Sequence, residues 1–173
     1  MFPRLHGTEK QMSSEVELAY NYCKRISKEQ AKNFYYAFIT LPDQKRRAIY
    51  AAYSFCRLCD DITDEHFPVH EQIGKLTELK RQLHETYENN PQGPIFIALA
   101  DAVQSFGIPQ DYFKEVVSGV EMDLTRTRYV NFEELRSYCY KVASAVGLIS
   151  LEIFGYQNHK AKNYAIDLGL AMQ

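Results

Sequence analysis

Apolar residues recur along this chain at helical spacing, and the punctuation between them is clear. No run alternates apolar and polar residues between turn signals, as a half-buried strand requires. The pattern predicts a loose leader over residues 1–14 and a first helix from about Ser14 to Phe38, stopped before Leu41-Pro42. Pro42 suits the first turn of a second helix, where its missing N–H costs nothing, and that helix runs to about Asp64 before Phe67-Pro68. A third helix fits Val69 to Glu88, closed by the Asn-Asn-Pro-Gln-Gly-Pro breaker at 89–94. A fourth fits Ile95 to Ser105, stopped by Gly107 and Pro109, and a fifth fits Gln110 to Thr125. Asn131 opens a sixth with Glu134 three residues on, the spacing of a capping box. Leu135, Tyr138, Val142, Ala145, Ile149 and Ile153 carry its apolar stripe to Gly155. The last helix starts near Asn158 and is still running at Gln173; its apolar positions Ala165, Leu168 and Met172 meet no glycine or polar stop, so the end reads as a cut. The expectation is an all-α bundle in which residues 15–173 form one helical domain, without internal repeats.

Composition narrows the function more than the fold. At 173 residues and 46% hydrophobic, the chain can bury one core. A net charge of −2 argues against a general nucleic-acid binder, which needs a basic face. Cys56 and Cys59 form a C-x-x-C, but neither Cys23 nor Cys139 completes a zinc-like spacing, so the cysteines read as small buried hydrophobes in a reducing cytosol. No segment reaches the roughly 18 consecutive apolar residues of a spanning helix, and the N-terminus lacks the order of a signal peptide. A soluble, cytoplasmic protein is expected. Thirteen tyrosines and ten phenylalanines are many for this length, but on composition alone they mean core.

The stretch from Tyr50 to Glu65 carries the chemistry. On a helix Tyr53, Arg57, Asp60 and Asp64 follow each other at i+4, i+3 and i+4 and share one stripe. Two carboxylates a turn apart can bridge a hard cation through oxygen, and Mg²⁺ favours such sparse ligation completed by water and phosphate. Arg57 can bond a phosphate or orient the carboxylates. A solvated acidic helix end has the same spacing, but the apolar, aromatic lead-in turns this stripe toward a bundle interior, where gathered like charges need a cation.

With those residues in view, the chain resembles the squalene/phytoene synthases. The resemblance runs from about Tyr22 to Gln173 and rests on motifs in one order. Lys32-Asn33-Phe34-Tyr35-Tyr36-Ala37-Phe38 with Leu41-Pro42 is similar to the family's S-F-x-x-A-F-x-x-L-P opening. Tyr53-x-x-Cys56-Arg57-x-x-Asp60-Asp61-x-x-Asp64 resembles its first aspartate-rich motif. Tyr138-Cys139-Tyr140-x-Val142-Ala143-Ser144-x-Val146-Gly147 resembles its Y-C-x-x-V-A-x-x-V-G helix, and Leu168 to Gln173 the lead-in to its second aspartate-rich motif. Glu121 to Tyr129 and Glu152 to Tyr156 look most like the bacterial presqualene-diphosphate and phytoene synthase branches.

The resemblance implies an isoprenoid-synthase helical bundle, of which this chain is the N-terminal portion, with residues 15–173 a partial synthase domain. It implies a transferase that joins two farnesyl or geranylgeranyl diphosphates head-to-head, with Mg²⁺ on Asp60 and Asp64, and NADPH where the product is squalene. Arg57 would bond the diphosphate, and Tyr53 and Tyr138 would line the reaction centre, Tyr138 handling a proton or stabilising a cation. Lys32 and Asn33 would meet the diphosphate, Phe34 and Phe38 would wall the cavity, and Val142, Ala145, Val146 and Ile149 would line the prenyl tunnel, with Gln173 at the substrate. Peripheral membrane association through an apolar product is a further expectation. Two departures stand out: Ala31 and Asn33 occupy positions where the family commonly has serines, and the family's N-x-x-R-D-x-x-x-D segment would come after Gln173. Half an ionisation site could instead release diphosphate to water, a prenyl-diphosphate phosphatase, or the helices could form a non-catalytic prenyl-binding or interaction scaffold. Asp123, Arg126 and Arg128 read either as an ion-pair cluster at a helix end or as phosphate contacts.

Overall fold

The computed structural model describes residues 6–64, 67–126 and 128–173, with side chains from residue 13 onward except that of Asp64. The helices are α1 (His6–Gln30), α2 (Asn33–Phe38), α3 (Asp43–Asp64), α4 (Val69–Tyr87), α5 (Pro94–Phe106), α6 (Gln110–Asp123), α7 (Phe132–Cys139), α8 (Ala145–Phe154) and α9 (Lys160–Met172). A π-helical turn, Tyr140–Ser144, joins α7 to α8. Among the described residues there is no strand, and no helix is long and apolar enough to cross a membrane. The fold is the expected all-α helical bundle.

α3 is the spine. Ala48, Ala51, Phe55, Cys59 and Ile62, spaced three or four apart, are buried along it, and it packs against α1, α5, α6 and α8. Phe55 stands at the centre, edge-on to Phe96 of α5 at 6.2 Å and to Phe113 of α6 at 5.1 Å between ring centroids. Polar ties hold the outer helices: Tyr20 of α1 donates to Asp101 of α5 at 2.7 Å, and Lys45 of α3 donates to the Phe154 carbonyl that ends α8, at 2.6 Å.

The expected elements appear close to their expected ends, with three corrections. First, α1 begins at His6 rather than about Ser14, so residues 6–14 of the expected leader are helical; residues 1–5 lie outside the described residues. Second, the helix expected to run unbroken to Phe38 stops at Gln30. Lys32 takes φ 44° and ψ −110°, a sparsely populated positive-φ conformation that costs a side-chain-bearing residue about 1–3 kcal/mol. The turn lays α2 across α3, stacking Tyr35 on Tyr50 at 6.0 Å and setting Phe38 against Tyr50 at 6.2 Å. Aromatic packing outweighs a straight continuation.

Third, the helix expected from Asn131 to Gly155 is interrupted by the π turn. Its start is as anticipated: the Asn131 side chain accepts from the Glu134 N–H at 2.9 Å, while Glu134 reaches back to the Val130 N–H at 3.3 Å. The wider turn then serves two neighbours at once. Lys141 reaches Glu115 at 2.6 Å and Ser118 at 3.1 Å on α6, and Ser144 Oγ donates to the Ile166 carbonyl of α9 at 2.7 Å.

Candidate active site

Tyr53, Arg57 and Asp60 lie on one side of the C-terminal half of α3, with Asp64 as its last helical residue. Asp60 is exposed, a correction to the expectation that the stripe turns toward the bundle interior; the side chain of Asp64 lies outside the described residues. Arg57 pairs with Asp61 at 2.5 Å, so it orients the neighbour of Asp60. Tyr53 is half-buried, and burial raises its pKa; Arg57 pulls the other way, while Asp60 and Asp61 push with the burial. The phenol therefore stays protonated at neutral pH. The nearby thiols are inert: burial, helped by Asp60, pushes Cys56 up to about 12, and burial raises Cys59 as well. All the cysteines are free.

A cavity of about 700 Å³ opens between α8, α9 and α2. It is lined by Val146 and Gly147 of α8, by a wall of Tyr164, Leu168 and Met172 of α9, and by Phe34 of α2. These walls expose large apolar side chains: Phe34 is 62%, Tyr164 71%, Leu168 61% and Met172 73% accessible. The volume falls within the roughly 300–1,000 Å³ common for small-molecule pockets. α9 lies close because glycines face the crossing: a Cβ on Gly169 would stand 2.5 Å from Ser144 Cα, and one on Gly147 would stand 3.1 Å from the Ala165 carbonyl.

Aromatic rings connect this cavity to the carboxylates. Phe34 stacks on Phe38 at 6.4 Å, and Phe38 meets Tyr53 edge-on at 6.1 Å. Tyr53 is two helical turns ahead of Asp60 on α3. A row of rings thus runs from the cavity at Phe34 to Tyr53, on the helix whose end carries Asp60 and Asp64.

The residues singled out in the sequence divide accordingly. Phe34, Val146 and Gln173 line the cavity. Phe38 and Tyr53 form the row of rings, while Lys32 and Asn33 are exposed at the start of α2. Val142 faces α6 instead, where a Cβ on Gly119 would meet its Cγ1 at 2.6 Å. Ala145 and Ile149 are buried in the core. These three are not among the residues that line the cavity. Tyr138 is half-buried against Tyr129 at 5.1 Å, and its pKa is raised by burial and by a hydrogen bond to Asp123. Asp123 therefore serves Tyr138, and Arg126 lies 3.8 Å from Glu134. The wall residues Leu168 and Met172 on α9 were visible in the sequence as an apolar face, but were read as an unfinished helix and as the lead-in to a second aspartate-rich motif rather than as a cavity wall.

A family model described as squalene/phytoene synthase matches residues 27–173. The 15-cis-phytoene synthase of Synechocystis sp. is 37% identical over 142 residues, covering 82% of this chain and 42% of that protein. The phytoene synthase of Mycobacterium bovis is 34% identical over 160 residues, covering 92% of this chain and 52% of the relative. Among solved structures, a dehydrosqualene synthase in complex with ligand superposes with a TM-score of 0.84 at 32% identity, covering 94% of this chain and 56% of that one. A squalene synthase, HpnC from Alicyclobacillus acidocaldarius, gives a TM-score of 0.86 at 25% identity, covering 92% and 60%. The chain spans about half the length of the curated relatives it matches.

Proposed function

This chain belongs to the squalene/phytoene synthase family, and on that premise we propose that it supplies the diphosphate lip and prenyl groove for head-to-head condensation of two prenyl diphosphates. The observation that carries this reading is the row Phe34, Phe38, Tyr53, which runs from an apolar cavity to the helix whose end carries Asp60 and Asp64. A prenyl diphosphate has the same polarity: a long apolar tail and a dense anionic head.

The donor chemistry fits Mg²⁺. Asp60 and Asp64 offer hard carboxylate oxygens one helical turn apart, and Asp60 is open to a hydrated ion. These two residues would hold the cation, which when bound supplies charge neutralisation for a departing diphosphate. Arg57 would donate to diphosphate oxygens, and its pairing with Asp61 limits where its fork can turn. Tyr53 presents a protonated hydroxyl and an aromatic face beside the site, and Phe34 and Phe38 add further faces that stabilise allylic positive charge. The Tyr138 hydroxyl is engaged by Asp123, which favours charge stabilisation by its ring over proton handling. Lys32 and Asn33, exposed where α2 begins, would meet phosphate oxygens.

Incubation with farnesyl or geranylgeranyl diphosphate and Mg²⁺, with and without NADPH, followed by mass spectrometry, tests the reading. A C30 or C40 product is expected. A free C15 alcohol would replace condensation with diphosphate release to water, and binding without any product would leave a prenyl-binding scaffold.

A further inference from the structure

α3 ends badly by its own sequence. A helix C-terminus leaves its last carbonyls without intrahelical partners, and here Asp60, Asp61 and Asp64 crowd that end, where the macrodipole disfavours negative charge. No basic residue lies in the last turn. Repulsion between carboxylates at i and i+4 adds to the tendency to unwind.

The correction comes from the next helix. Gln72, in the first turn of α4, is only 6% exposed, and its side-chain Nε2 donates to the Ile62 carbonyl at 3.0 Å and to the Thr63 carbonyl at 3.2 Å. Its own backbone N–H is fixed on Pro68 O at 3.2 Å, so the amide reaches back from an anchored turn. Thr63 Oγ1 adds a bond to the Asp60 carbonyl at 3.0 Å. A buried carboxamide is costly unless its donors are used, and space-filling alone would be better served by Leu or Met. A primary amide has two donors, matching two adjacent stranded carbonyls.

We propose that Gln72 is a positioning residue for the carboxylate pair: its buried amide clamps the last turn of α3 and so sets the spacing of Asp60 and Asp64 before a divalent cation arrives. The proposal rests on the reading that these two aspartates hold the cation. Residues that orient ligands in this indirect way commonly govern metal affinity without touching the metal.

The test titrates the 173-residue chain with the Mn²⁺ complex of inorganic diphosphate and follows paramagnetic broadening of the α3 amide signals by NMR. Gln72→Met keeps the length of the side chain and removes both donors. It is expected to raise the concentration for half-maximal broadening about tenfold, while the thermal midpoint falls by no more than about 5 °C. Gln72→Asn, one methylene short of the carbonyls, is expected to behave alike and carries the comparison if the methionine variant does not fold. Asp60→Ala is the reference and should lose the broadening. Parent-like broadening in Gln72→Met, with Asp60→Ala defective, overturns the clamp and leaves the ligands standing. Parent-like broadening in Asp60→Ala overturns the ligand assignment, and the clamp falls with it. In the unaltered chain, Gln72 side-chain NH₂ protons exchanging as fast as those of an exposed glutamine would also overturn it.

Discussion

Burial, reinforced by the adjacent Tyr35, pushes the Tyr50 hydroxyl up to about 12, against an ordinary value of about 10. The unfolded chain releases that proton first. The stabilisation is therefore complete below about pH 10 and disappears as pH rises through about 12. Tyr20 and Tyr87 are shifted the same way by burial. The native circular-dichroism signal should accordingly collapse between those limits, and Tyr50→Phe should delay the collapse; a signal flat to pH 12 would contradict the assignment. On the acidic lip, Asp60→Ala or Asp64→Ala should abolish Mg²⁺-dependent product formation in a family member that carries this segment together with the rest of its length; normal turnover in either variant rules out that residue as a ligand. That Asp60 and Asp64 stand one turn apart on the same helix was legible from helical arithmetic. The pairing of Arg57 with Asp61 was not, because Asp60 at i+3 and Asp61 at i+4 are equally reachable in sequence.

Among the elements, helix positions followed from apolar period and from proline and glycine stops, whereas both interruptions came from contacts that no local window contains. Lys32 takes a positive φ so that rings of α2 can reach α3, and the turn at Tyr140–Ser144 widens to serve α6 and α9 together. Val142 and Ala145 were expected at the prenyl tunnel from the family resemblance, whereas Val142 faces α6 and Ala145 is buried in the core. The same crossing gives a paired prediction. Gly169→Ala drives a methyl into Ser144, with backbone N at 2.6 Å and Cα at 2.5 Å, and should lower unfolding free energy by about 1–3 kcal/mol. Gly74→Ala on α4 meets nothing within 4 Å and should raise it by about 0.5–1 kcal/mol, chiefly by restricting the unfolded chain. Urea midpoints of the two variants, moving in opposite directions, would check the packing at both places.

At the scale of the whole molecule, groove and lip should respond as one site. Farnesyl diphosphate with Mg²⁺ should raise the thermal midpoint more than inorganic diphosphate with Mg²⁺ at the same saturation of the lip, because only the first also fills the groove. Val146→Phe, which narrows that groove, should erase the difference while leaving the inorganic diphosphate effect intact. Equal shifts from both ligands in the parent protein would separate the two regions. The packing of α9 has a further consequence, in time rather than in space. α3 is gripped on several sides, but α9 leans chiefly on α8 and the π turn, and much of its apolar face is open to water. Its amides should therefore exchange with deuterium through local opening long before those of α3, and a bound prenyl tail should slow them selectively. The groove's outer wall should come loose before the α3 core does, so the lifetime of a closed groove is set by the tail it encloses.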